Sequence, residues 1–270
     1  MTALPAMLQS VRDRYVARPI QVRGQVWTLR DTRPGTQEVP LVMLPGALGT
    51  GDVFYKMLAA LGHQHRLVAL SYPTLESAQA LADSLIELFE AMAWQQVDLL
   101  GTSLGGYIAQ AAVVARSERV RRLVLSSTFF DAELQKKRWP PAEQFSSLDV
   151  QAVAAAAREQ LRGGPEPTPE HAELKQVMLA LVGSEQTGPA IRAMRLAVLT
   201  ATPLPPVPLD QSCITLIDDD DDPVIAEPTR LQMRRRYSGS LHIRIAGGGH
   251  FPANLCPQAY EAALRRILQA

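Results

Sequence analysis

Residues 97–115 read Val97-Asp98-Leu99-Leu100-Gly101-Thr102-Ser103-Leu104-Gly105-Gly106-Tyr107-Ile108-Ala109-Gln110-Ala111-Ala112-Val113-Val114-Ala115. A short apolar run enters the stretch, a Gly-x-Ser-x-Gly occupies its middle, and Leu104 to Ala115 continues as an apolar helix. Composition alone gives roughly 0.1 matches to such a pattern in a chain of this length. The setting makes it informative. Strand, sharp turn and helix in direct succession hold a serine at a strained bend with its hydroxyl exposed above the end of a sheet. The flanking glycines are needed because side chains there would meet neighbouring backbone, and Gly106 gives further room at the helix start. An incidental serine in a Gly-rich turn is the plainer alternative, and it leaves the order of elements unexplained.

Outward from this stretch, short apolar runs alternate with helical patterns. Leu41–Leu44, Arg66–Leu70, Val97–Leu100, Arg122–Ser126, Ile214–Ile217 and Leu241–Ile245 read as strands. Their near-continuous hydrophobicity suits strands buried on both faces of a parallel sheet. Val22–Leu29 mixes apolar and polar positions and reads as an exposed antiparallel strand. Val53–Leu61, Ala78–Ala93 and Pro257–Ala270 carry apolar residues at helical spacing. Between Phe130 and Ser212 the strand rhythm stops. Val150–Leu161 is helical, Thr168-Pro169 restarts a helix with an N-cap and a proline at its first position, and Glu185–Thr202 is a third helix. Such an insertion reads as a helical cap over the strand ends, where sites form. The expected organisation is core 1–129, cap 130–212, and core again over 213–270. Val177, Met178, Leu181, Met194, Leu196 and Val198 would give the cap an apolar underside, or simply pack it onto the core.

The chain has 270 residues, 47% hydrophobic and 20% charged. Its 27 basic and 27 acidic residues cancel, which argues against a nucleic-acid binder. Arg234, Arg235 and Arg236 form a basic cluster, read as a solvated helix end. Two cysteines, Cys213 and Cys256, make no disulfide framework and read as inert buried thiols. No apolar run is long enough to span a membrane. Met1–Ser10 lacks the pattern of a secretory signal. A cytoplasmic protein is expected.

A serine hydroxyl needs a base. Of five histidines, His250 stands out in Ala246-Gly247-Gly248-Gly249-His250-Phe251-Pro252, between the last strand and the last helix. Glycine freedom before it and proline after it suit a loop curling back over the strand ends. His63 and His65 read as solvated loop residues, because no third ligand stands near them. His171 and His242 show no partner in the sequence. The base needs an orienting carboxylate, and Asp218-Asp219-Asp220-Asp221-Asp222-Pro223 follows a late strand in the chain order Ser, acid, His. Asp222 is the preferred acid, because the following proline fixes the chain direction at the bend; Asp221 is the alternative. The other aspartates are expected to be solvated. The run lacks the spacing of a calcium loop. Two backbone N–H groups should form an oxyanion hole: Leu104, after the serine, and Ala47, in the Gly-rich Leu44–Gly51. No nucleotide-binding glycine pattern is present there, and nothing in the constellation asks for a cofactor or a metal.

On Pro45-Gly46-Ala47, the elbow around Ser103, Asp222-Pro223-Val224 and Gly249-His250-Phe251-Pro252, the chain resembles the α/β-hydrolase superfamily over nearly its whole length. The resemblance implies an α/β fold: a mostly parallel eight-stranded sheet with helices on both faces and an inserted helical cap. It also carries over Ser103, His250 and an acid. Within the superfamily, Leu44–Phe54, Val68–Pro73, Gly101–Gln110 and Gly248–Pro252 look like the maspardin-like branch, which implies an atypical hydrolase or an adaptor that binds a protein partner. In that branch the position of His250 is not histidine, and this departure favours catalysis. A second departure is Pro45, where many hydrolases carry histidine. The expected activity is serine hydrolysis of an ester or thioester of a small, apolar acyl substrate. A non-catalytic interaction module, a carbon–carbon bond hydrolase and an acyltransferase are the alternatives.

Overall fold

The structure is a computed structural model that describes residues 4–182 and 187–269. Its strands are β1 (Arg18–Val22), β2 (Gln25–Asp31), β3 (Leu41–Leu44), β4 (Leu67–Ser71), β5 (Val97–Thr102), β6 (Val120–Ser126), β7 (Ile214–Asp218) and β8 (Leu241–Arg244). They form one eight-stranded sheet in the order β1-β2-β4-β3-β5-β6-β7-β8. The β1–β2 and β2–β4 pairs are antiparallel, and every pair from β4 to β8 is parallel. The helices are α1 (Ala6–Arg14), α2 (Tyr55–Leu61), α3 (Ala78–Ala91), α4 (Leu104–Ala115), α5 (Glu133–Lys136), α6 (Ala142–Ser146), α7 (Val150–Arg162), α8 (Pro169–Leu181), α9 (Thr187–Thr200), α10 (Glu227–Arg236), α11 (Pro252–Leu255) and α12 (Pro257–Gln269).

Successive side chains of a strand point to opposite faces, and this splits the core in two. Val42, Leu44, Val68 and Leu70 pack with Leu81, Leu85 and Phe89 of α3 and with Ile108 and Ala112 of α4. Leu41, Met43, Leu67 and Ala69 pack against Leu58 of α2, Val11 of α1 and Leu264 of α12. Covered on both faces, the central strands are apolar at almost every position. β8 lies at the sheet edge and is only half-buried, so it tolerates His242 and Arg244.

Three expectations change in detail. The segment read as one strand over Val22–Leu29 is the turn and second arm of a hairpin. Arg23 and Gly24 both take positive φ, 44° and 83°, the turn that two closely paired antiparallel strands require. Helix α1 had no expected counterpart. It docks through Leu8 and Val11, and Arg12 bridges to Asp52. Cys213 and Cys256 are half-buried rather than buried, because both sit where an element begins or ends; Cys256 Sγ faces the Ala246 carbonyl at 3.5 Å. The starting residue expected for the third cap helix, Glu185, lies outside the described residues, as do Ala270 and the first three residues of the N-terminal segment.

Helices α5 to α9 occupy the chain between β6 and β7. Phe145, Val153, Ala157, Ile191, Leu196 and Leu199 give them a small core of their own. Ala193, Met194, Ala197 and Val198 on the same α9 belong instead to the main core. The inserted helices are therefore fastened to the sheet layer along α9. Thr168 caps α8 as the sequence suggests, its Oγ1 accepting from the His171 N–H at 3.4 Å. Among the described residues no helix is long and apolar enough to cross a membrane.

Candidate active site

Ser103 follows β5 directly and has φ 53° and ψ −122°. A non-glycine residue there is strained and persists only where its surroundings hold it. The braces come from the end of β6, the residues just after it and the first turn of α4. Ser103 N–H donates to the Ser126 carbonyl at 3.0 Å, and the Ser103 carbonyl accepts from Gly106 N–H at 3.0 Å and from Thr128 Oγ1 at 2.5 Å. The turn also needs bare backbone. A Cβ at Gly101 would fall on the Gly105 carbonyl, and one at Gly105 would fall on the carbonyls of Leu44 and Pro45.

His250 sits between Gly249, at φ 50°, and Phe251, whose ring meets the imidazole edge-on at 5.1 Å. Its Nδ1 is 3.0 Å from Asp222 Oδ2. Asp222 Oδ1 accepts from the N–H groups of Val224 and Ile225 at 2.7 and 2.9 Å. The carboxylate side chain is 1% exposed and the imidazole 9%. Burial raises the Asp222 pKa, but the hydrogen bond from His250, its charge and the two N–H donors together hold it below the usual carboxylate range. A buried carboxylate so satisfied stays ionised and presents a fixed acceptor.

The neighbouring aspartates have separate tasks, and the expectation that they are solvated is wrong for several. Asp218 is buried and pairs with Arg234 at 2.8 Å and with His242 Nε2 at 2.8 Å. Asp219 is 2% exposed; it accepts from Gly249 N–H at 2.6 Å and from Asp221 N–H at 3.1 Å. Asp220 pairs with Arg234 and Arg244. Only Asp221 faces solvent without a side-chain partner among the described residues. The physical reason is the crossover after β7: five carboxyls emerge at one sheet end, and basic groups of α10 and β8 lie beside it. Arg234 is thus not a free surface charge. Arg236 lies 4.0 Å over the Phe130 ring and donates to the Leu204 carbonyl at 2.8 Å.

Ala47 lies in the turn after β3, closed by Gly49 N–H donating to the Gly46 carbonyl at 3.0 Å. Tyr72 Oη donates to the Pro45 carbonyl at 2.7 Å. Burial keeps that phenol far above its ordinary pKa, hence protonated and a donor. The Leu104 N–H is at the first position of α4, where the carbonyl four residues behind, that of Leu100, belongs to β5 and the helix supplies no acceptor.

Ser103, His250, Gly46 and Ala47 border one cavity of about 470 Å³, roofed by residues of α7, α8 and α9 such as Leu161, Met178 and Ile191. Its size suits a small ligand. No hydrogen bond joins Ser103 Oγ to His250 among the described residues; such bonds commonly tighten only when a substrate binds. His63 is exposed, while His171 borders the cavity with Nδ1 2.9 Å from Thr168 Oγ1. Among the described residues no group of three or more His, Cys, Asp or Glu could hold a metal ion. Sequence reasoning missed Tyr72, Thr128 and Asp219, which brace the site. Each lies just past a strand end, and only that position hints at a role.

A sequence model of the Alpha/beta hydrolase family matches residues 41–263. Maspardin from Homo sapiens is 28% identical over 240 residues, which cover 87% of this chain and 76% of that protein. Maspardin from Danio rerio is 27% identical over 239 residues with the same coverage. Among solved structures, a thermophilic esterase from Thermogutta terrifontis superposes with a TM-score of 0.71 at 18% identity, covering 94% of this chain and 98% of that one. The enol-lactonase from Burkholderia xenovorans LB400 gives a TM-score of 0.74 at 16% identity, covering 94% and 100%. At these identities the structural likeness shows a common fold.

Proposed function

The chain belongs to the alpha/beta hydrolase family, and from that premise we propose that it is a serine hydrolase that cleaves an ester or thioester of a small acyl substrate. One observation carries the reading: a serine in strained left-handed backbone and a histidine held by a buried carboxylate border the same cavity. Ser103 Oγ attacks the carbonyl as His250 Nε2 takes its proton. The imidazolium, stabilised by ionised Asp222, returns that proton to the leaving group. A water then attacks the acyl-enzyme with His250 again as base. The Ala47 and Leu104 N–H groups receive the charge that develops on the carbonyl oxygen.

Residues 130–212 act in this reading as a cap between the core segments 1–129 and 213–270, and the acyl group occupies the cavity beneath it. The apolar lining, Leu161, Leu174, Met178, Val182 and Ile191 among it, supports a mostly apolar acyl chain. The free cysteines suit action in the reducing cytoplasm.

The test is hydrolysis of short p-nitrophenyl esters together with labelling by a fluorophosphonate. The wild-type protein is expected to be labelled and to turn over. Ser103→Ala should abolish labelling and lower the rate on the order of 10⁴-fold or more, leaving what binding and the oxyanion donors supply. Equal rates in the two proteins would overturn the assignment. The similarity to maspardin favours a second reading, an interaction module that keeps the fold without the chemistry. A folded wild-type protein whose serine resists the probe would decide for it. Product analysis with a carbon–carbon substrate and with acyl acceptors separates the other chemistries of the same triad.

A further inference from the structure

The cavity wall is electrostatically one-sided. Arg138, Lys175 and Arg195 border it, and among the described residues no aspartate or glutamate does. Two of these cations are already engaged. Lys175 pairs with Glu166 at 2.6 Å and donates to the Gly164 carbonyl at 3.0 Å. Arg138 is exposed and donates to the Pro223 carbonyl at 3.4 Å. Arg195 differs. It projects from α9, half-buried, with its guanidinium 5.8 Å from the centre of the Trp139 ring. Among the described residues no carboxylate and no carbonyl accepts a hydrogen bond from it.

A second observation points to the same place. Gln135, on α5, is 4% exposed, and neither its amide nitrogen nor its amide oxygen has a partner. It too borders the cavity. Buried amides are almost always paired, and so are buried guanidinium groups. An unpaired guanidinium at a mostly apolar cavity and an unpaired buried amide in its wall are accounted for if a ligand supplies the acceptor. Burial also presses the Arg195 pKa down, the mark of a cation short of counter-charge.

We infer that the acyl portion of the substrate carries a carboxylate, received by the Arg195 guanidinium with the Gln135 amide as a further donor. Arg138 is exposed and its charge is met by solvent, which leaves Arg195 as the half-buried cation without an acceptor, and the planar fork of its guanidinium matches a planar carboxylate. The substrate class is thus the half-ester or half-thioester of a dicarboxylic acid, its apolar middle against the aliphatic lining. The inference rests on the hydrolase reading for the identity of the scissile bond, and on Arg195 and Gln135 for the rest.

The experiment compares two substrates that differ only at the far end: p-nitrophenyl monoglutarate and its methyl ester, p-nitrophenyl methyl glutarate. The wild-type enzyme is expected to favour the carboxylate form by tenfold or more in kcat/KM. In Arg195→Gln that ratio should fall tenfold or more, to about one or below. Arg195→Lys, which keeps the charge and loses the fork, should lie between. Gln135→Leu should lower the ratio by about threefold to tenfold and serves as the second variant if Arg195→Gln does not fold. A merely structural role would lower both substrates together, and an unchanged ratio, or a wild-type preference for the methyl ester, overturns the inference. If the wild-type protein hydrolyses neither ester, the hydrolase reading fails by itself. Calorimetry with monomethyl glutarate then decides the anion site: binding that Arg195→Gln loses upholds it, and no binding to the wild type overturns it.

Discussion

Asp221 and Asp222 are chemically identical neighbours, yet the chain gives them opposite surroundings. Asp221 ends in solvent, whereas Asp222 turns inward under Pro223, where one oxygen meets His250 and the other is held by two backbone N–H groups. Those N–H bonds fix the carboxylate's plane, so the imidazole it faces is held in one tautomer, which in the proposed mechanism leaves Nε2 for the serine. Asp222→Asn should therefore lower turnover on p-nitrophenyl esters about 10⁴-fold, since an amide in that position favours the wrong tautomer. Asp221→Asn should stay within about twofold of wild type. Kinetics of the two variants side by side check this, and a comparable loss in both would refute the distinction. At the same scale, Asp219 holds the Gly249 N–H and so sets the loop that carries His250.

Among the elements, α3 shows how local chemistry sets a boundary that packing then uses. Ser77 is extended, and its Oγ accepts from the Ala80 N–H at 3.3 Å. Inside the helix, Leu81, Leu85, Leu88 and Phe89 turn to the sheet. Ser77→Ala removes the cap but none of that burial. The expected loss is about 1 kcal/mol, read as a lower urea midpoint with an unchanged slope. A neutral result would mean that tertiary packing alone sets the helix start. The hairpin of β1 and β2 shows the opposite case. Its turn, Arg23-Gly24, carries only one glycine, and the flanking pattern of Val22–Leu29 looked like a continuous strand. The α9 helix is a third case. Its apolar stripe was legible, but its division between the cap's own cluster and the main core was not.

Over the whole molecule, long-range ion pairs tie down what the sheet itself leaves loose. Arg66 just before β4 reaches Asp31 at the end of β2 at 2.8 Å, with side chains 7% and 1% exposed. The same guanidinium donates to the carbonyls of Thr36 and Glu38, 2.9 and 3.3 Å away. It thereby fastens the connection between the antiparallel part of the sheet and the parallel part. Arg66→Ala would strand a buried carboxylate, and the loss expected is about 3–5 kcal/mol. Urea unfolding of the variant checks this; an unshifted midpoint would mean that water replaces the guanidinium without cost. Asp52, bridged by Arg12 and Arg30, holds α1 against the core in the same manner.

Sequence by itself determined the fold class, because buried parallel strands must be apolar throughout and the Gly-x-Ser-x-Gly turn is confined by backbone contact. It also singled out Ser103 and His250, since a serine between glycines and a histidine after three glycines have no packing role to explain them. Tertiary structure alone decided which carboxylate meets the imidazole. Along an acidic run every residue offers the same group, and only the bend at Pro223 and the basic residues of α10 and β8 tell them apart. It alone also revealed the unpaired Arg195 and Gln135. Their lack of partners among the described residues belongs to no single segment; it arises where an inserted helix, a loop helix and the sheet enclose one space to which none of those residues supplies an acid.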